Sequence, residues 1–579
     1  MTRSWSYKHT LAYFLICFLF ILLRLYEVDL RPLHHDESLH GAYSLYFFQD
    51  PLTGFYKYDP LLHGPFLYHT IPWFYWIFGL TKYALRFPAV LFSSALLFIP
   101  ILFKEKLNKS LIFLTLILLG TSPTLTYWSR FLRHDNFIHF SFFLLILAFY
   151  WKNAFLRTTL IGLSLAIHLS AKENFYIHAI FLLAYGTYEY FSLKILKKEN
   201  SAFSVLYHWI KSHKLCTLWG SSLFLFVTFY YYSAGFYYPQ GISSLLKGEA
   251  FSYWANQHQT ERITGPFSFP FLINSFFESW WFPLLFLQPI LFFKTRIKEF
   301  TLFLFALALA CLFYANGVFD WSPSINQFTS LYFKLKIPFD HFLFFPLISY
   351  SLIGVTSYLK EDKRQLAFAH FIFTATFFTY SFVGEKVPWL AAYPLLAGIY
   401  YYTLYFRDCD FKALSGSYLL VILLNIPLLL WANWYKDDQP ENLLTQVHTS
   451  SEFEQKLFFI QGKMRAEGAS LLAKHETTWP TTWYVHGFPN YHYGNKVKAT
   501  KDHNFLLTTT HDPSNNDYSL LGLKKEKLLF RSWWLPDYEK LSPLKFFNYM
   551  IFKKIYGGVG HHYVALWSEP TLPIDSNRK

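Results

Sequence analysis

The chain has 579 residues, of which 53% are hydrophobic, 22% aromatic and only 15% charged, and its mean hydropathy is +0.21. That balance excludes an ordinary soluble globular protein of this length and points to a polytopic membrane protein. The formal net charge of +14 does not indicate nucleic acid, because Lys and Arg concentrate in the cytoplasmic loops of membrane proteins; no nucleic-acid partner is expected.

The first apolar run, "LAYFLICFLFILLRL" from Leu11 to Leu25, is too long for a signal-peptide core and no small-residue cleavage site follows it, so a retained first helix is expected. Apolar runs of roughly 18–20 residues, the length that crosses a bilayer core, recur along the first three quarters of the chain. Basic clusters separate them at Lys104, Lys106 and Lys109, at Lys152 and Arg157, at Lys194, Lys197 and Lys198, at Lys294, Arg296 and Lys298, at Lys360, Lys363 and Arg364, and at Arg407 and Lys412. Placing these inside, with Arg3 and Lys8, gives about thirteen crossings and a cytoplasmic N-terminus. "RPLHHDES" from Arg31, "SRFLRHD" from Ser129, "AKEN" from Ala171, residues 239–278, the stretch from Phe319 and "GEKVPW" from Gly384 then face outward. His63 to Phe87 is aromatic but broken by Pro65, Pro72, Lys82 and Arg86; an interfacial helix along the outer leaflet is expected there.

After Trp434 the composition changes. "SSEFEQKLFFIQGKMRAEG" has helical spacing, and "TWYVHGF", "NFLLTTTHD", "KLLFRSWW" and "HHYVALWSE" read as short strands between turn residues. The expected fold is a polytopic α-helical membrane protein over residues 1–434 with a small extracytoplasmic α/β domain over 435–579. Cys17, Cys216, Cys311 and Cys409 are spread over apolar runs and one basic loop, so neither a disulfide nor a cysteine metal site is expected.

The outward loops hold the chemistry. His34, His35 and His40 surround the adjacent carboxylates Asp36 and Glu37. A carboxylate at the mouth of a low-dielectric cleft can act as a base, or hold a divalent cation together with these histidines or His63. The alternative is a helix cap by Asp36 or Ser38, which accounts for one carboxylate only. "YKYDPLLHGP" adds Tyr58, Asp59 and His63, although Asp-Pro and Gly-Pro are also turn chemistry. Arg130, Arg133, Lys172 and Lys386 lie in short outward loops, where cations are disfavoured, beside Asp135, Glu173, Glu385 or Trp389. Arginine forks suit phosphate oxygens, so a polyprenyl-phosphate or pyrophosphate sugar is the expected substrate class.

With those residues placed, the sequence resembles the C-type-fold (GT-C) membrane glycosyltransferases, the superfamily of protein O-mannosyltransferases and the lipid A aminoarabinose transferase. "HHDES" stands where those enzymes carry an acidic motif in the first outward loop, and "SPTLTYWSRFLRHD" where they carry an Arg/Asp motif. "HHDESLH", "YDPLLHGP", "ALRFPA", "SRFLRHD", "AKEN", "GEKVPWL", "TTWPTTWYVHG" and "FRSWWLPDY" together resemble the flippase activity-associated protein family over nearly the whole chain. The resemblance implies an inner-membrane enzyme with an extracytoplasmic site and inverting transfer from a polyprenyl-phosphate sugar donor. The acceptor would be a glycolipid, a polysaccharide or a protein. Asp36 would be the base with Glu37 beside it, Asp135 would support the site, and Arg130, Arg133, Lys172 and Lys386 would hold the donor phosphate. His34, His35, His40, Tyr58, Asp59, His63, Glu173 and Trp389 are further substrate-binding candidates, and a divalent metal stays open. The rival readings are a non-catalytic accessory protein of glycan assembly, a lipid-linked sugar transporter, and a lipid-pyrophosphate phosphatase. A transporter would be expected to show paired repeats, and none is visible.

Overall fold

The computed structural model describes residues 5–51, 54–259, 263, 265–278, 282, 296, 298–304, 344–407, 411–510 and 518–569. Helix α1 (Tyr7–Leu25) begins at a capping box formed by Ser6 and His9. It is followed by α2 (His35–Gln49), α3 (Phe66–Phe78) and α4 (Lys82–Ser94), the last running on through tight turns to Phe103. Then come α5 (Lys109–Thr121), α6 (Pro123–Ser129), α7 (His134–Tyr150), α8 (Ala154–Ala171) and α9 (Asn174–Ile195).

The chain is a polytopic membrane protein, mostly helical with one small sheet. Among the described residues four helices are long and apolar enough to cross a bilayer: α1, Lys82–Phe103, α8 and Lys214–Tyr232. The pair α5 and α6, bent by 58°, makes a fifth if it is one span. The bend has a local cause. Ser122, ahead of Pro123, is extended, and its hydroxyl accepts the Leu125 N–H at 3.1 Å to start a new helix. The described residues therefore hold fewer full-length spans than the thirteen expected. The stretch from Phe319 and Cys311 and Cys409 lie outside them.

The expected interfacial segment ends earlier than Phe87. α3 is short and contains Pro72, but Thr81 caps a helix at Lys82 by accepting the Ala84 N–H at 3.0 Å, and residues 82–87 open a candidate span. Arg86 is tolerated there because its guanidinium is fully paired, as described below.

The sheet has the order β1 (His448–Thr449), β5 (Lys524–Trp533), β6 (Gly560–Ser568), β4 (Phe505–Thr509), β2 (Leu471–Ala473) and β3 (Tyr491–Tyr493). β2 runs parallel to β3 and β4; the other pairs are antiparallel. The helix Ser451–Glu467 is capped by Ser450 and stopped by Gly468 in the left-handed region, φ 66°. Three of the four expected strands form. "TWYVHGF" does not: Thr478–Tyr484 is helical. Trp483, Tyr484 and Val485 are buried where this short helix packs on α2.

The sheet and the helices share one core. Leu33, Leu45, Tyr68 and Leu85 pack in the same cluster as Phe453, Leu457, Trp483 and Phe530. Trp483 lies against α2 at Gly41, where an added Cβ would come within 2.8 Å of Trp483 Cδ1 and 2.9 Å of Leu85 Cδ1. Gly41→Ala therefore gains helix propensity of about 1 kcal/mol but overpacks a rigid indole. A net loss of roughly 1–2 kcal/mol is expected, read as a lower unfolding temperature in detergent.

Candidate active site

His34, not Asp36 or Ser38, caps α2: its Nδ1 accepts the Asp36 N–H at 3.1 Å, and its own N–H donates to Glu37 Oε2 at 3.1 Å. This reciprocal cap fixes two neighbouring carboxylates in different surroundings. Asp36 lines a cavity of about 920 Å³, with 31% of its side chain exposed. Glu37 is fully buried and does not line it.

The wall of the cavity is assembled from distant segments. α2 and the residues before it contribute His34, His35, Asp36 and His40. The following loop contributes His63, and the ends of α6 to α9 supply Arg133, Lys172 and Glu173. Tyr380, Glu385 and Trp389 come from the region around the helix Arg364–Phe382, and Gln446, Val447 and Arg531 from the C-terminal part. Arg133 is the hinge of its charge pattern. Its Nη1 donates to Asp36 Oδ2 at 2.6 Å, its Nε lies 3.6 Å from Asp135 Oδ2, and its guanidinium sits 3.6 Å over the Trp389 ring. Lys172, the cap residue at the end of α8, donates to both oxygens of Asp135 at 3.1 Å. Tyr393 donates to the same carboxylate at 2.5 Å and accepts from Asn174 Nδ2 at 2.8 Å. Asp135 thus sits behind the two cations and holds them, outside the cavity lining.

Burial pushes the Asp36 carboxyl up, but the charges around it, the Arg133 guanidinium first, outweigh burial and hold it well below the usual carboxylate range. It is ionised at neutral pH. Burial also pushes the His40 imidazole down, to about 3, so His40 is neutral. Its tautomer follows from its partner. Tyr68 O–H donates to the Leu62 carbonyl at 2.9 Å, so the 2.8 Å contact with His40 Nδ1 is donated by the imidazole, leaving Nε2 unprotonated. His63 Nδ1 meets Glu173 Oε2 at 2.8 Å and its ring stacks on Trp254 at 4.5 Å.

Several expected site residues do other work. Glu37 is gripped by Arg86, whose Nε and Nη2 donate to its two oxygens at 2.8 and 2.7 Å, while Leu132 N–H adds a third donor at 3.0 Å. Arg86 also donates to the carbonyls of Val28, Arg31 and Pro32 at 2.8–2.9 Å. The pair ties the loop before α2 to α4. Arg130 points away from the cavity, donating to the carbonyls of Asn433, Tyr26 and Glu27 and stacking on Trp434. Lys386 donates to the carbonyls of Ser381 and Val383, satisfying the end of the helix Arg364–Phe382. Asp59 is exposed and accepts the Leu61 N–H at 2.9 Å as a turn cap, and Tyr58 is buried against Tyr232. None of these five side chains lines the large cavity. Sequence reasoning missed Arg86, Tyr393 and Arg531. A lone arginine in an apolar stretch was the available signal for the first; nothing local marks the other two. Among the described residues no three His, Cys, Asp or Glu side chains are grouped to hold a metal ion.

No family model and no curated protein matches the sequence. Among solved structures, ArnT from Cupriavidus metallidurans in the apo state aligns with 82% of this chain and 84% of its own at 12% identity and a TM-score of 0.39. The same protein bound to undecaprenyl phosphate aligns over 97% and 98%, at 11% identity and a TM-score of 0.41.

Proposed function

We propose that this protein is a GT-C-type membrane glycosyltransferase. It would move a sugar from a polyprenyl-phosphate donor to an extracytoplasmic acceptor by inverting transfer, in a plasma (inner) membrane. The observation that carries the reading is Asp36, an ionised carboxylate open to a large cavity whose walls also present Arg133 and Lys172. In this mechanism the donor's lipid tail stays in the bilayer and its phosphate meets these two cations. As the bond from the sugar's anomeric carbon to the phosphate oxygen breaks, their charge stabilises the leaving phosphate. Asp36 takes the proton of the acceptor hydroxyl as that oxygen attacks the opposite face. Arg133 couples the two events: while it pairs with Asp36 the carboxylate is a weak base, and a phosphate that draws on the same guanidinium makes it a stronger one. Asp135 and Tyr393 position the cations, and His34, His35, His40 and His63 with Glu173 and Trp389 shape the sugar and acceptor space.

The test is transfer from radiolabelled polyprenyl-phosphate sugars to an extracted membrane glycan pool by purified protein in liposomes, with and without chelator. Labelled glycan supports the reading, and chelator sensitivity decides the metal. No product from any donor overturns it in favour of an accessory role.

A further inference from the structure

Arg531 differs from the other cations of the cavity. Arg133 is paired with Asp36, and Lys172 with Asp135. Arg531 lines the same cavity but makes no ion pair with a carboxylate among the described residues. Its Nη2 donates to His35 Nδ1 at 3.1 Å and to the Trp479 carbonyl at 3.4 Å. Its Nε–H is buried and has no acceptor among the described residues.

The strand itself aims this side chain. Leu528 and Phe530 are buried in the core of the sheet. The register between β5 and β6 slips between Leu529, opposite Tyr563, and Arg531, opposite His562. Such a bulge re-aims the residue beside it. The Arg531 guanidinium then rests 4.3 Å over the Phe530 ring, which fixes its plane. Burial lowers its pKa only to about 10, so it keeps its charge.

We propose that Arg531 forms a second anion subsite on the sheet side of the cavity. It would take a phosphate or carboxylate oxygen of the bound substrate other than the phosphate at Arg133 and Lys172. A planar guanidinium fork on the cavity wall, without a carboxylate partner among the described residues, matches such an oxyanion. The proposal rests on the glycosyltransferase reading only in naming the first phosphate. The second anion has two sources: the lipid-side phosphate of a diphosphate donor, or an acidic group on the acceptor.

The experiment measures binding of polyprenyl monophosphate, polyprenyl diphosphate and a phosphorylated glycolipid to the full-length protein in nanodiscs. Wild type, Arg531→Gln and Arg531→Lys are compared, with their unfolding temperatures. Arg531→Gln is expected to weaken the diphosphate or the phosphoglycolipid by about tenfold, with Arg531→Lys recovering part of the loss and monophosphate binding staying within about twofold. Loss on the diphosphate assigns the anion to the donor, and loss on the phosphoglycolipid assigns it to the acceptor. Three affinities that all stay within about twofold, or that all fall together as a structural role would make them, overturn the proposal. Wild type that ignores both lipid phosphates yet binds the phosphoglycolipid through Arg531 removes the lipid-donor reading and leaves the subsite standing; binding of no probe overturns both.

Discussion

Asp36→Asn is expected to lower sugar transfer by roughly 100- to 10,000-fold, the range a positioned base supplies, while donor affinity is unchanged or higher. Both halves follow from one contact. Asn keeps the shape of Asp but carries no charge to accept a proton, and Arg133, now held at 2.6 Å by the Asp36 carboxylate, is freed for the donor phosphate. A kcat assay beside a donor-binding measurement separates the two. Equal transfer by wild type and variant removes Asp36 from the chemistry. Loss of donor binding with Asp36→Asn would make the carboxylate a structural partner of Arg133 instead.

The second large effect is on stability. Arg86→Met strands the Glu37 carboxylate, which has no exposure to water, and deprives the carbonyls of Val28, Arg31 and Pro32 of their donor. Breaking one side of a buried pair costs about 3–5 kcal/mol, so a sharply lower unfolding temperature in detergent is expected. Glu37→Leu combined with Arg86→Met should regain part of the loss, because no charge is then left buried. An unchanged unfolding temperature for Arg86→Met would sink this account. The pair also has a pH signature. Burial pushes the Glu37 carboxyl up, but Arg86 outweighs it and holds it down to about 2. Its contribution is therefore full above the ordinary glutamate value of about 4.3, and is lost as pH falls from there through about 2. Arg86→Met should flatten that acid limb.

The sequence disclosed the site unevenly. Charges in the loops that the basic clusters assign to the outer side marked Asp36, Arg133, Lys172 and Glu173, because ionisable groups near membrane depth are costly unless they have a task; all four line one cavity. The same argument selected Glu37, which accepts from the buried Arg86, and Arg130 and Lys386, which donate to backbone carbonyls. Charge position alone does not separate a group aimed at a ligand from one aimed at its own backbone. Arg531 was hidden for another reason: it is 496 residues from His35, and a one-residue register slip decides where it points. In the C-terminal part, short runs between turn residues found β4, β5 and β6, and the same signal failed at Thr478–Tyr484, which is helical and packs on α2.

The shared core also sets an order of events during synthesis. α2 is made early, yet Leu33 N–H waits for Tyr484, His34 for the Gln446 carbonyl, and His35 for Arg531. β5, which carries Arg531, is held on one side by β6, ending at Ser568. The cavity therefore gains its last wall only once the chain has been made through Ser568. A prematurely ended chain would carry the carboxylates and cations of the first loops without that wall, so the enclosed cavity would form late and all at once.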